Sequence, residues 1–237
     1  MGEVSQPLEI TGSAGIRLTG AHRRQSGPNL HRANELSIRI AGACGLASVL
    51  LMIPSYVAGI PNDLTETADL SSNHEFLAGN TPSLLLHFAA ALVFLAGITG
   101  AMYIAAGPTV PVLAALGSGG TFLTLTAAGY ATQIAIVTVV HNHPGITPHV
   151  TLIAYSTVAW LYRFAMIGGG VLIISVSYTV VTTGILPRWW GASCGLGLPP
   201  MFFTWMPTAA SIGMISWVSI TSLLLIAAVN RHSLAPR

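Results

Sequence analysis

WWGASCGLGLPPMFFTWMPTAASIGMISWVSITSLLLIAAV (residues 189–229) is apolar almost throughout, yet Pro199-Pro200 and Pro207 interrupt it. A membrane helix needs about 20 apolar residues. Proline inside a helix removes a backbone hydrogen bond and clashes with the preceding turn. The block therefore divides into two predicted spans, Trp189–Met206 and Thr208–Val229. Whether it crosses the membrane once or twice decides the fold, because the answer sets the side on which the chain ends.

Working outward, four further apolar stretches precede it. They are predicted at Leu36–Ile60, Ser83–Ala106, Val110–Val140 and Val150–Leu186, which brings the count to six. Charge tests that count. The chain has nine arginines and no lysine. With six spans and the N-terminus inside, Arg17, Arg23, Arg24, Arg32, Arg39, Arg188, Arg231 and Arg237 fall on the cytoplasmic side, as the positive-inside bias requires. Asp63, Glu66, Asp69 and Glu75, in the loop joining the first two spans, fall outside. Five spans would strand the C-terminal arginines outside.

The expectation is an all-α polytopic bundle in the bacterial cytoplasmic (inner) membrane, with both termini cytoplasmic. Residues 1–35 read as a disordered basic tail, 36–230 as the transmembrane domain and 231–237 as a short C-terminal tail. Composition agrees: of 237 residues, 52% are hydrophobic and 7% charged, against about 25% charged in a soluble domain. Two cysteines, Cys44 and Cys194, are too few for a secreted disulfide framework. They fall at similar depth near the reducing inner face and read as buried, space-filling thiols. No phosphate loop, dinucleotide fingerprint or nucleophile elbow is present. Every Asp and Glu lies in the tail or in the first outer loop, so no carboxylate pair is available inside the bilayer for proton relay.

Five of eight histidines collect on the outer side. His141, His143 and His149 stand in HNHPGITPH (141–149), His74 lies in the first outer loop, and His87 lies about one turn inside the second span. Imidazole is a good ligand for Cu and Zn, and a four-coordinate site takes three or four ligands. The five are thus candidate metal ligands, with the loop trio first. The alternative is a polar turn, since Pro144, Gly145 and Pro148 are ordinary turn chemistry. Arg163, in AWLYRFAMIGGG (159–170), is a charge within a span and is costly there. It reads as an interfacial anchor beside Trp160 and Tyr162, as an ion-pair partner of the acidic outer loop, or as an anion site.

Glycines mark close helix approach: Gly42, Gly45, Gly97, Gly100, Gly117 to Gly120 and Gly168-Gly169-Gly170. In the third span, Thr121, Thr124, Thr126, Gln133 and Thr138 either line a cavity or bond neighbouring helices.

RIAGACGLASVLL (39–51), the acidic loop carrying Asn73 and Glu75, and TTGILPRWWGASCGLG (182–197) resemble a family of actinobacterial six-helix integral membrane proteins with no assigned activity. The likeness spans most of residues 36–230. It implies the six-helix fold and brings no catalytic residue; the histidine loop is not part of its pattern.

The expected function is non-enzymatic: a membrane component that contacts the lipid bilayer and binds a partner membrane subunit or lipid, or assists transport, with no nucleic-acid partner. The alternatives are a metal-binding membrane enzyme or metal-handling protein using the outer histidines, and a small-solute transporter.

Overall fold

The computed structural model describes residues 28–57, 69–143 and 148–233. The elements are α1 (Pro28–Val57), α2 (Asp69–Ala106), α3 (Val110–Asn142), α4 (Pro148–Thr183), a 3-10 helix (Arg188–Gly197), α5 (Leu198–Met201) and α6 (Pro207–Ser233). The described residues contain no strand. Two helices begin earlier than hydropathy suggested. α1 starts within the stretch read as tail, and α2 starts within the stretch read as outer loop, with Pro82 inside it. Asp63 and Glu66 lie outside the described residues.

Five helices are long and apolar enough to cross a membrane: α1 over Glu35–Ile53, α2 over Asn80–Ala106, α3, α4 over His149–Thr183, and α6 over Pro207–Ala228. Their surfaces show why the environment is lipid. Leu85 is 65% exposed and Ile153 67% exposed, while Ser48, Gln133, Ser177, Ser193 and Thr221 are buried. Large apolar side chains cover the outer surface as well as the core, and an outward apolar surface of that extent belongs in contact with a membrane.

The expected fifth span, Trp189–Met206, is corrected by the structure, since it is not an α-helix of membrane length. α4 stops at Gly184, whose φ of 70° is the left-handed conformation that glycine adopts without cost. Gly191, Gly195 and Gly197 then weaken α propensity by about 1 kcal/mol each. Both prolines are placed in the first turn of α5, which tolerates them, and Leu198 before them keeps α geometry at φ −71°, ψ −49°. The segment takes the tighter three-residue repeat instead, beginning with the Trp190 N–H donating to the Pro187 carbonyl at 2.8 Å.

That repeat sorts its side chains. Trp189, Ala192, Gly195 and Leu198 are exposed on one face. Trp190 and Ser193 turn toward α6: the Trp190 indole N–H donates to Thr221 Oγ1 at 3.1 Å, and the Trp217 indole N–H donates to Ser193 Oγ at 3.2 Å. Gly191 and Gly197 press on α4, beside Val181 and Gly170 respectively. Ser193 Oγ also lies 2.9 Å from Ser177 Oγ of α4. The buried polar groups of this seam thus satisfy one another.

Pairings fix the directions. Along α1 and α2, Ala41 meets Gly97, Gly45 meets Phe94 and Ser48 meets His87. Gly119 of α3 meets Leu95 of α2, and on α4 Tyr162 meets Gly129 while Gly168 meets Phe122. Each pair is antiparallel. The 3-10 helix runs antiparallel to both α4 and α6, so α4 and α6 are parallel. The start of α1 and the ends of α2, α4 and α6 therefore share one end of the bundle. Each element packs on its sequence neighbours, and α6 returns to close the ring against α1.

The glycine expectation holds in part. A Cβ at Gly42 would lie 2.8 Å from the Ser222 carbonyl oxygen, one at Gly168 2.7 Å from that of Ser118, and one at Gly170 2.6 Å from that of Gly197. Gly100, Gly117 and Gly120 meet nothing within 4 Å.

Candidate functional site

The candidate metal ligands do not assemble among the described residues. His141 and His143 end α3 and His149 begins α4, all three exposed. Residues 144–147 between them, and the side chain of His74, lie outside the described residues. No group of three or more His, Cys, Asp or Glu able to hold a metal is found among the described residues. His87 is elsewhere. Its neighbour Phe88 meets Tyr130 edge-on, with ring centroids 6.0 Å apart. Tyr130 precedes His141 by eleven residues, about 16 Å along a helix.

Arg163 is half-buried on α4, its guanidinium 4.6 Å from the centre of the Trp160 ring. That cation–π contact joins two side chains one turn apart on the same helix. The side chains of Asp63, Glu66, Asp69 and Glu75 lie outside the described residues. Both cysteines are free thiols, as expected, but Cys44 is only half-buried and Cys194 is exposed rather than filling space in the interior.

The third-span hydroxyls mostly turn back on their own helix. Thr121 donates to the Gly117 carbonyl at 2.9 Å, Thr126 to that of Phe122 at 2.6 Å and Thr138 to that of Ile134 at 2.9 Å. Gln133 alone of that set reaches across, its Oε1 accepting from the Tyr162 hydroxyl at 3.4 Å.

One turn below Gln133, the helices line a partly open cavity of about 150 Å³. Phe88, Phe94, Phe122, Tyr130, Tyr162 and Phe203 contribute aromatic walls, and Met52, Met166 and Met214 contribute thioethers. Its polar groups are on Ser48, His87, Thr126 and Ser211 and on the phenolic rings of Tyr130 and Tyr162. Tyr130 and Tyr162 meet edge-on with centroids 5.6 Å apart, forming the side nearest Gln133.

His87 is the one imidazole here, 7% exposed. Its Nδ1 lies 2.8 Å from the Ser48 backbone carbonyl oxygen and 3.1 Å from Ser48 Oγ. A carbonyl oxygen can only accept, so Nδ1 carries the proton and donates. In the neutral ring Nε2 is then a lone-pair acceptor. Both described hydrogen bonds of His87 fall on Nδ1, and Nε2 is not among the buried polar atoms left without a partner. His87 lines the cavity, and its Nε2 has no hydrogen bond among the described residues.

The sequence offers His87 only as a candidate metal ligand and does not by itself pair it with Ser48. A weak signal was present. Setting small residue against small residue, Ala41 on Gly97, and counting in antiparallel register puts Ser48 level with Ala90, within one turn of His87.

No family model, curated protein or solved structure matches this chain.

Proposed function

We propose that this chain is a six-crossing protein of the bacterial cytoplasmic membrane, both termini inside, that binds a small apolar molecule within its bundle and performs no chemistry on it. The observation that carries the reading is the cavity at mid-depth, walled by aromatic and thioether side chains from α1, α2, α3, α4 and α6 and from Phe203. Ligand sites are commonly concave and mostly apolar, with a few polar groups. The absence of Asp and Glu beyond residue 75 leaves no carboxylate on the cavity wall to act as acid or base.

Six crossings are supported by the pairings. Ten residues of 3-10 helix at about 2.0 Å each, with four of α-helix at about 1.5 Å, extend roughly 26 Å, close to the about 30 Å hydrocarbon core. A 3-10 helix closes its backbone hydrogen bonds within itself, as anything crossing lipid must. The arginine distribution then orients the bundle, with Arg39, Arg188 and Arg231 at the inner end.

The test is ¹⁹F NMR of fluorobenzene added to the detergent-solubilised protein. Saturable binding is expected, and filling the space with Ala91→Phe or Ala165→Phe should abolish it. Partition no greater than into protein-free micelles would overturn the reading.

A further inference from the structure

Resting on that binding reading, we infer that the cavity takes a hydroxylated single-ring aromatic molecule, a phenol, whose O–H donates to Nε2 of His87. Three observations converge. The first is size: an apolar cavity of about 150 Å³ admits benzene, and this one has about that volume, room for one ring and a small substituent. The second is the wall, since aromatic rings pack edge-on against other rings and thioether sulfur favours aromatic contact.

The third is the tautomer. The Ser48 carbonyl holds the proton on Nδ1 at 2.8 Å and fixes Nε2 as an acceptor, so the complementary ligand group is a donor. A carbonyl or ether ligand would set lone pair against lone pair. The rest of the polar lining competes weakly. The Thr126 hydroxyl is committed to the Phe122 carbonyl at 2.6 Å, and Ser48 Oγ faces Nδ1 at 3.1 Å. Ser211 of α6, Tyr130 and Tyr162 also line the space, and the Tyr162 hydroxyl donates to Gln133 Oε1 at 3.4 Å.

The experiment compares 4-fluorophenol, 4-fluoroanisole and fluorobenzene by ¹⁹F NMR on the solubilised full chain, with the Ala91→Phe variant as the blank for micelle partition. 4-Fluorophenol should bind about three- to tenfold more tightly than 4-fluoroanisole, the net effect of one hydrogen bond. His87→Phe should erase that preference, bringing the ratio of 4-fluorophenol to 4-fluoroanisole affinity to about one. Equal binding of phenol and anisole by the wild-type protein would overturn the phenol assignment and leave the cavity reading intact. If no probe binds above the blank, both fall. The wild-type comparison needs no variant at position 87, so it decides even if His87→Phe does not fold.

Discussion

The indole N–H of Trp217 donates to Ser193 Oγ at 3.2 Å, and this bond joins the 3-10 helix to α6 in the bundle interior. Trp217 is wholly buried, and Ser193 is shared with Ser177 of α4 at 2.9 Å. Ser193→Ala leaves an indole N–H and a hydroxyl without partners in a place without water. We expect a loss of about 1–3 kcal/mol, read as a lower thermal midpoint in detergent. An unchanged midpoint would show that the seam is held by packing alone.

The contact of Gly170 with Gly197 should tolerate no side chain. A Cβ at Gly170 meets the Gly197 carbonyl oxygen at 2.6 Å and Met201 Cγ at 2.6 Å. Gly170→Ala is expected to cost about 1–3 kcal/mol through overpacking. Gly100→Ala, where nothing lies within 4 Å, should be neutral or gain up to about 1 kcal/mol. Paired melting curves check the contrast, and equal effects would contradict it.

Ser222 predicts the opposite sign. Its side chain is wholly buried against α1, and its Oγ has no hydrogen-bond partner among the described residues. Ser222→Ala removes a buried polar group with nothing to satisfy it, so stability should hold or rise by up to about 1–3 kcal/mol. A clear loss would mean the hydroxyl is bonded in the membrane.

Orientation can be read with an impermeant thiol reagent on a background lacking Cys44 and Cys194. Asn142→Cys, at the end of α3, should label in intact cells. Thr109→Cys, just before α3 begins, should label only after the membrane is opened. The reverse pattern would invert the assigned topology.

The exposed histidines give the last prediction. Untagged protein and the triple variant His141→Ala, His143→Ala, His149→Ala should carry the same Cu and Zn content by elemental analysis, and bind fluorobenzene alike. Stoichiometric metal lost in the variant would restore the loop as a metal centre.

Much of this molecule was legible without coordinates. The α3 boundaries, for instance, fall within two residues of those expected, because hydropathy over some 20 residues depends only on local composition. Arg163 beside Trp160 was legible for the same reason, as both lie one turn apart on a single helix. Cys194 was misjudged because its burial depends on a three-residue repeat that composition does not announce.

The sequence by itself determined an apolar, arginine-skewed chain of repeated membrane-length segments, with prolines that forbid one continuous helix after residue 189. Only the tertiary structure decided that 188–201 becomes a 3-10 helix and a single α turn held by Ser177, Ser193, Trp217 and Thr221, and that His87 meets Ser48 beside a cavity. The physical reason is range. Hydropathy and helix-breaking act over a few neighbours along the chain. A cavity and a hydrogen bond between residues 39 positions apart depend on which faces of antiparallel helices come together, and small side chains select those faces only once the helices have met.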